Sequence, residues 1–250
     1  MSRSIPLSRT HDAIPSTAAA SLPARVTGVL RAPRATFAAL ARTPRWAAVM
    51  GLTLAVTFLS NAALLETEVG RLALMDQWER TAVAFGQPVD DARHATFERA
   101  SGNGVLYAAL IALASGPVLV FGVSLLLFAL LTRLGRGAVA YRQVLAITAH
   151  AGVILALRQV VAAPLDYSRE TLASPATLGV LFSTLDEASP LARFFGVIDL
   201  FVIWWVAALA IGMSVLSRRP ARHLALGFIG AYLVLAAVLA LVMAISGGTT

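Results

Sequence analysis

The chain contains no cysteine and no lysine. Without Cys there is no disulfide, no thiolate nucleophile, and no Cys-ligated zinc or iron–sulfur centre. That absence leaves the compartment open. Charge is scarce too: 13% of the 250 residues are charged and 58% are hydrophobic, with a mean hydropathy of +0.77. A soluble domain carries about a quarter charged residues, so this chain cannot cover a water-facing surface. The bilayer is the natural solvent for the excess. Also missing are G-x-x-x-x-G-K-[ST], G-x-S-x-G and H-E-x-x-H. No nucleotide, acyl-transfer or zinc-hydrolase motif is therefore present. His11, His94, His150 and His223 are scattered and have no metal-ligand spacing. No enzyme activity, cofactor or metal is expected.

What is present is arginine and long apolar runs. All twenty basic residues are Arg, giving a net charge of +7. Abundant Ala and Arg without Lys points to a GC-rich bacterial genome, an inference from codon usage. The positive charge does not read as a nucleic-acid footprint. The arginines lie in short segments between apolar runs, where they set topology and attract anionic headgroups.

Five runs are long enough to cross a bilayer, which takes about 20 mostly apolar residues. They are 46–65, 105–131, 144–163, 195–216 and 224–245. None shows the period-two alternation of a membrane barrel, so helices are expected. The fold class is all-α, a polytopic membrane bundle of five helices preceded by an amphipathic interfacial segment. Gly116-Pro117 lies inside the second run, and a kink is expected there.

Orientation follows from counting Arg. The N-terminal segment, the loop after span two and the loop after span four together hold thirteen Arg and one acid, Asp12. Residues 66–104 instead hold four Arg against seven acids, and 164–194 hold two Arg against four. The positive-inside rule then places the N-terminus in the cytoplasm and the C-terminus outside, in the cell's inner or plasma membrane. Residues 1–45 contain no long apolar run, so no cleaved signal peptide is expected.

Residues 1–22 read as a disordered cytoplasmic tail, 23–245 as the membrane domain, and 246–250 as a short external tail. Within 23–45, Val26, Val29, Leu30, Phe37 and Leu40 are interleaved with Arg25, Arg31, Arg34 and Arg42. That spacing gives an apolar and a basic face, broken at Pro33 and Pro44. Two fates are open: helices lying among anionic headgroups, or helices packed under the bundle. Asp90 or Asp91 is a candidate cap for a short helix through Arg99. No internal repeat is visible, which disfavours an inverted-repeat transporter.

The candidate site residues are polar groups at membrane depth. Asp199 lies near the external start of span four, and Arg158 near the external end of span three. A charge in hydrocarbon costs at least about 2.5–3.5 kcal/mol on insertion scales, so an Arg158–Asp199 pair is expected. It reads either as a helix–helix lock or as a coupling site for a proton or ion. Thr53, Thr57, Ser60 and Asn61 share one face of span one. Asn61, at similar depth, either joins the pair or bonds a neighbouring helix. Gly51-x-x-x-Ala55, Gly152-x-x-x-Ala156 and Ala208-x-x-x-Gly212 are candidate close-packing motifs. His150 reads as a neutral histidine facing another helix.

Four stretches carry a family resemblance. They are Pro33–Trp46, Gly135–Ala151, Leu191–Trp205 with D-x-F-x-x-W as Asp199, Phe201 and Trp204, and Ala207–Met213. Together they resemble the Yip domain family (Ypt-interacting-protein-like), five-span proteins of bacteria and eukaryotes. The resemblance covers roughly residues 30–245 and implies a five-helix membrane domain. Eukaryotic members are linked to Rab-type GTPases and vesicle traffic, a role that a bacterial chain need not share. Many members carry Pro soon after the start of span three, where this chain has Ala151-Gly152-Val153, leaving the helix shape there open. The expected function is a membrane protein that organises or binds membrane components: lipid, other membrane proteins or further copies of itself. The alternative is a small transporter or channel subunit.

Overall fold

The structure is a computed structural model describing residues 21–133, 139–182, 184 and 189–247. The expected tail up to residue 20 lies outside the described residues. So do Arg136 in the second Arg-rich loop, the acids Asp186 and Glu187, and positions 248–250.

Caps and prolines set the N-terminal elements. Ser21 accepts from the Ala24 amide at 3.4 Å and opens α1 (Leu22–Arg31). Pro33, which lacks a backbone donor, opens α2 (Pro33–Arg42) after a one-residue break at Ala32. Pro44 separates α2 from α3 (Ala47–Leu65). Thr67 caps α4 (Glu68–Ala84), accepting from Gly70 N at 3.0 Å. A Cβ on Gly70 would run into the Leu64 carbonyl, so the turn from α3 into α4 admits only glycine without rearrangement. Asp90 caps α5 (Asp91–Ser101) through a 2.8 Å bond from Arg93 N.

The rest of the chain is mostly membrane helix: α6 (Gly104–Arg133), α7 (Tyr141–Ala151), α8 (Val153–Arg169), α9 (Pro190–Val197), α10 (Leu200–Ser217) and α11 (Ala221–Gly247). A 3-10 turn, Leu178–Phe182, lies between α8 and α9. Among the described residues there is no strand, only one isolated bridge. Five helices are long and apolar enough to cross a membrane: Ala47–Leu65, Gly104–Arg133, Tyr141–Arg169, Leu200–Ser217 and Ala221–Ser246.

Three details differ from the sequence reading. α8 runs through Pro164 to Arg169, well past the expected end at 163, so Asp166 is helical rather than a loop acid. The segment expected to open span four is instead the separate helix α9; the chain breaks at Ile198–Asp199 and α10 begins at Leu200. The small pair Gly51 and Ala55 is exposed, and a Cβ on Gly51 would meet nothing within 4 Å, so it makes no helix contact in this chain. At Ala151-Gly152-Val153 the helix pauses: Gly152 ends α7 and starts α8, bonding Thr148 O at 3.1 Å and accepting from Ala156 N at 3.0 Å. α6 continues unbroken through Pro117.

The core explains why α1 and α2 fold where they do. Val29, Phe37 and Leu40 are fully buried, in one cluster with Leu131, Ile147 and Met213. Gln143 Nε2 donates to the Ala41 carbonyl at 2.8 Å, tying α7 to α2. Gly212 lets this layer close, since a Cβ there would overlap Ile147 and lie 3.4 Å from the Phe37 ring. The apolar face of α1–α2 thus packs against the bundle, while Arg31, Arg34, Arg42 and Arg45 stay exposed. α1–α2, the end of α6, the start of α7 and the α10–α11 turn define an Arg-rich end. At the other end, Leu65, Leu74 and Ala108 join α3, α4 and α6 in a second cluster.

Candidate functional site

The best-built polar site lies opposite the Arg-rich end, and Asp199 is its centre. Asp199 is the N-cap of α10, with extended backbone. Its Oδ1 accepts from the amides of Phe201 at 2.8 Å and Val202 at 3.4 Å. That geometry satisfies donors left open at a helix start and sets a carboxylate against the positive end of the helix dipole. Oδ2 accepts from Arg158 Nε at 2.7 Å and from Ser174 Oγ at 2.8 Å. The Asp199 side chain is 6% exposed and that of Arg158 29%. Both carboxylate oxygens are therefore engaged, which is what a buried charge requires.

The backbone around Asp199 is also tied down. Tyr232, on α11, accepts from Asp199 N at 3.0 Å and donates to the Val197 carbonyl at 2.8 Å. It bridges the break between α9 and α10. Leu178 N donates to Ile198 O at 2.9 Å, and Leu200 N to Ala176 O at 3.0 Å. These two bonds pin the loop after α8 across the same break. One side chain thus joins α8, the loop, and the start of α10, while Tyr232 adds α11.

A cavity of about 710 Å³ opens above this knot. Its walls include Arg158, Arg169 and Arg193 together with Ser174, Thr177 and Asp199. Arg193 donates to the Met243 carbonyl, which fastens α9 to α11. Phe182 stacks on Phe195 with centroids 4.5 Å apart, closing one wall. A 250 Å³ groove lies at the Arg-rich end, between α1 and α2.

The structure brings Arg158 and Asp199 together, as their matched depth predicts. It does not bring Asn61 to them: the Asn61 amide donates to Thr57 O at 2.8 Å within its own helix. Thr53 likewise bonds its own helix, at Met50 O. Phe201 packs against the main core, whereas Trp204 faces outward at 40% exposure, with ring centroids 6.1 Å apart. His150 is fully buried. Its Nδ1 pairs with Ala146 O at 2.8 Å, and its Nε2 has no partner among the described residues. Sequence reasoning missed Ser174 and Tyr232. A lone Tyr in an otherwise apolar final span was the available signal.

Residues 27–245 match the family model described as the Yip1 domain. No curated protein and no solved structure matches the chain. The family match covers most of the sequence and takes in the five membrane-length helices to within one residue, so this chain belongs to the Yip1 domain family.

Proposed function

We propose that this protein is a non-enzymatic membrane organiser: a packed five-helix bundle that binds lipid and other membrane components, including further copies of itself. Its Arg-rich end and N-terminus face the cytoplasm of the inner or plasma membrane, and its C-terminus lies outside. The exposed Arg31, Arg34 and Arg42, with Arg25 beside them, draw anionic headgroups to that face.

The observation carrying this reading is how three buried serines are used and that the two described cavities do not meet. Ser124, Ser214 and Ser217 each donate to a carbonyl of their own helix, at 2.5, 2.7 and 2.7 Å. The 710 Å³ cavity and the 250 Å³ groove lie at opposite ends and share no lining residue. A transporter needs a polar path connecting both faces; these features are separate. Within this reading the Arg158–Asp199 pair is structural, holding α8, the loop after it and the start of α10 together.

The arginine-lined outer cavity is the feature that favours the transporter alternative. Sealed vesicles containing the purified chain distinguish the two. The organiser reading expects no ion or solute flux above that of empty vesicles, together with reproducible in-membrane crosslinks to the same component. A flux that Asp199→Asn abolishes would establish the transporter instead.

A further inference from the structure

We infer that the groove between α1 and α2 seats the phosphate of one anionic phospholipid, gripped by Arg25 and Arg45. The groove is about 250 Å³ and is lined by Leu40, Ala39, Arg25, Arg45, Thr36 and Thr43. Arg25 and Arg45 both line the groove, and neither makes an ion pair among the described residues. Two guanidinium groups on one groove without a carboxylate partner favour an anionic oxygen between them.

Nothing in the described protein supplies that anion. The sequence has no acid between Asp12 and Glu66, between Glu98 and Asp166, or after Asp199. Every described segment at the Arg-rich end falls in those gaps. The described ion pairs, Arg80–Asp76, His94–Glu79 and Arg158–Asp199, all lie elsewhere. The threonines do not substitute as donors: Thr36 Oγ1 donates to Ala32 O at 3.1 Å and Thr43 Oγ1 to Ala39 O at 3.3 Å. Recognition therefore rests on the two guanidinium groups, whose planar donor array matches phosphate oxygens.

Position selects a lipid over free phosphate. Arg45 stands two residues ahead of α3, whose Leu52 and Leu59 are 38% and 62% exposed. α3 therefore offers exposed apolar surface along the same chain for acyl chains to cover. The inference rests on the proposed headgroup-facing Arg-rich end, but it replaces diffuse attraction with one defined site.

The test uses the full-length chain in neutral detergent, titrated with phosphatidylglycerol and followed by native mass spectrometry. One saturable lipid adduct is expected, with phosphatidylcholine binding far more weakly. Arg25→Gln with Arg45→Gln should weaken it about a hundredfold, ~2.8 kcal/mol. Arg31→Gln with Arg34→Gln makes the same charge change outside the groove and should weaken it less than about tenfold, ~1.4 kcal/mol. Should Arg25→Gln not fold, Arg45→Gln alone carries the comparison, because Arg45 is exposed. Equal losses from the two pairs would overturn the site while leaving diffuse attraction standing. No preference for phosphatidylglycerol would overturn both. Displacement of the lipid by millimolar inorganic phosphate would overturn the lipid assignment.

Discussion

Replacing Arg158 with leucine removes the one ion-pair partner that Asp199 has among the described residues. Breaking a buried pair on one side costs about 3–5 kcal/mol. The loss here should be smaller, about 2 kcal/mol, because the carboxylate keeps two amides and the Ser174 hydroxyl. Asp199→Asn preserves a capping side chain but strands Arg158. With that side chain 29% exposed it can snorkel outward, so about 1–2 kcal/mol is expected. Asp199→Ala should cost about 1 kcal/mol more than Asn, because the cap is lost as well. The double variant Arg158→Leu/Asp199→Asn strands neither charge. Its loss should fall short of the sum of the singles by about 1–2 kcal/mol, the signature of direct coupling. Unfolding of the full chain in mixed micelles, titrated with a denaturing detergent, supplies all four numbers. Losses that add to within about 0.5 kcal/mol would refute direct coupling.

Four further outcomes follow from named positions. Tyr232→Phe leaves the Asp199 amide and the Val197 carbonyl without their partner and should destabilise by about 1–2 kcal/mol in the same titration. Ser174→Ala should cost about 1 kcal/mol, since it removes the loop's side-chain tie to Asp199 while the two backbone bonds across the break remain. Gly212→Ala drives a methyl into Ile147 and should cost about 1–3 kcal/mol. Gly51→Ala, open on all sides, should instead be neutral or stabilise by up to about 1 kcal/mol.

Hydropathy and charge made the large features legible. The five runs and the Arg asymmetry reflect insertion energies that depend on local composition, so they survive without tertiary information. A cap at Asp90 or Asp91 was readable because the pair follows a proline-bearing break, and the structure gives Asp90 that role. The Arg158–Asp199 pair was readable because both charges are expensive at one depth. The break at Ile198 was not, since the residues on both sides of Asp199 are apolar and a window average runs across the cap. An Asp directly ahead of a long apolar run is itself a helix-start signal, and here the run was begun five residues too early, at 195 instead of Leu200. Ser174 and Tyr232 are neutral, so no insertion penalty marked them. Gly51-x-x-x-Ala55 shows the converse: small residues at the right spacing, facing outward with no helix against them.

The absence of cysteine makes one measurement unusually direct, because every introduced thiol is unique. Single variants Gly86→Cys and Thr250→Cys should react with a membrane-impermeant maleimide in intact cells. Arg136→Cys and Arg219→Cys should react only after permeabilisation. Labelling of position 136 or 219 in intact cells would invert the bundle, placing the Arg-rich end and its α1–α2 groove on the outside and contradicting the account.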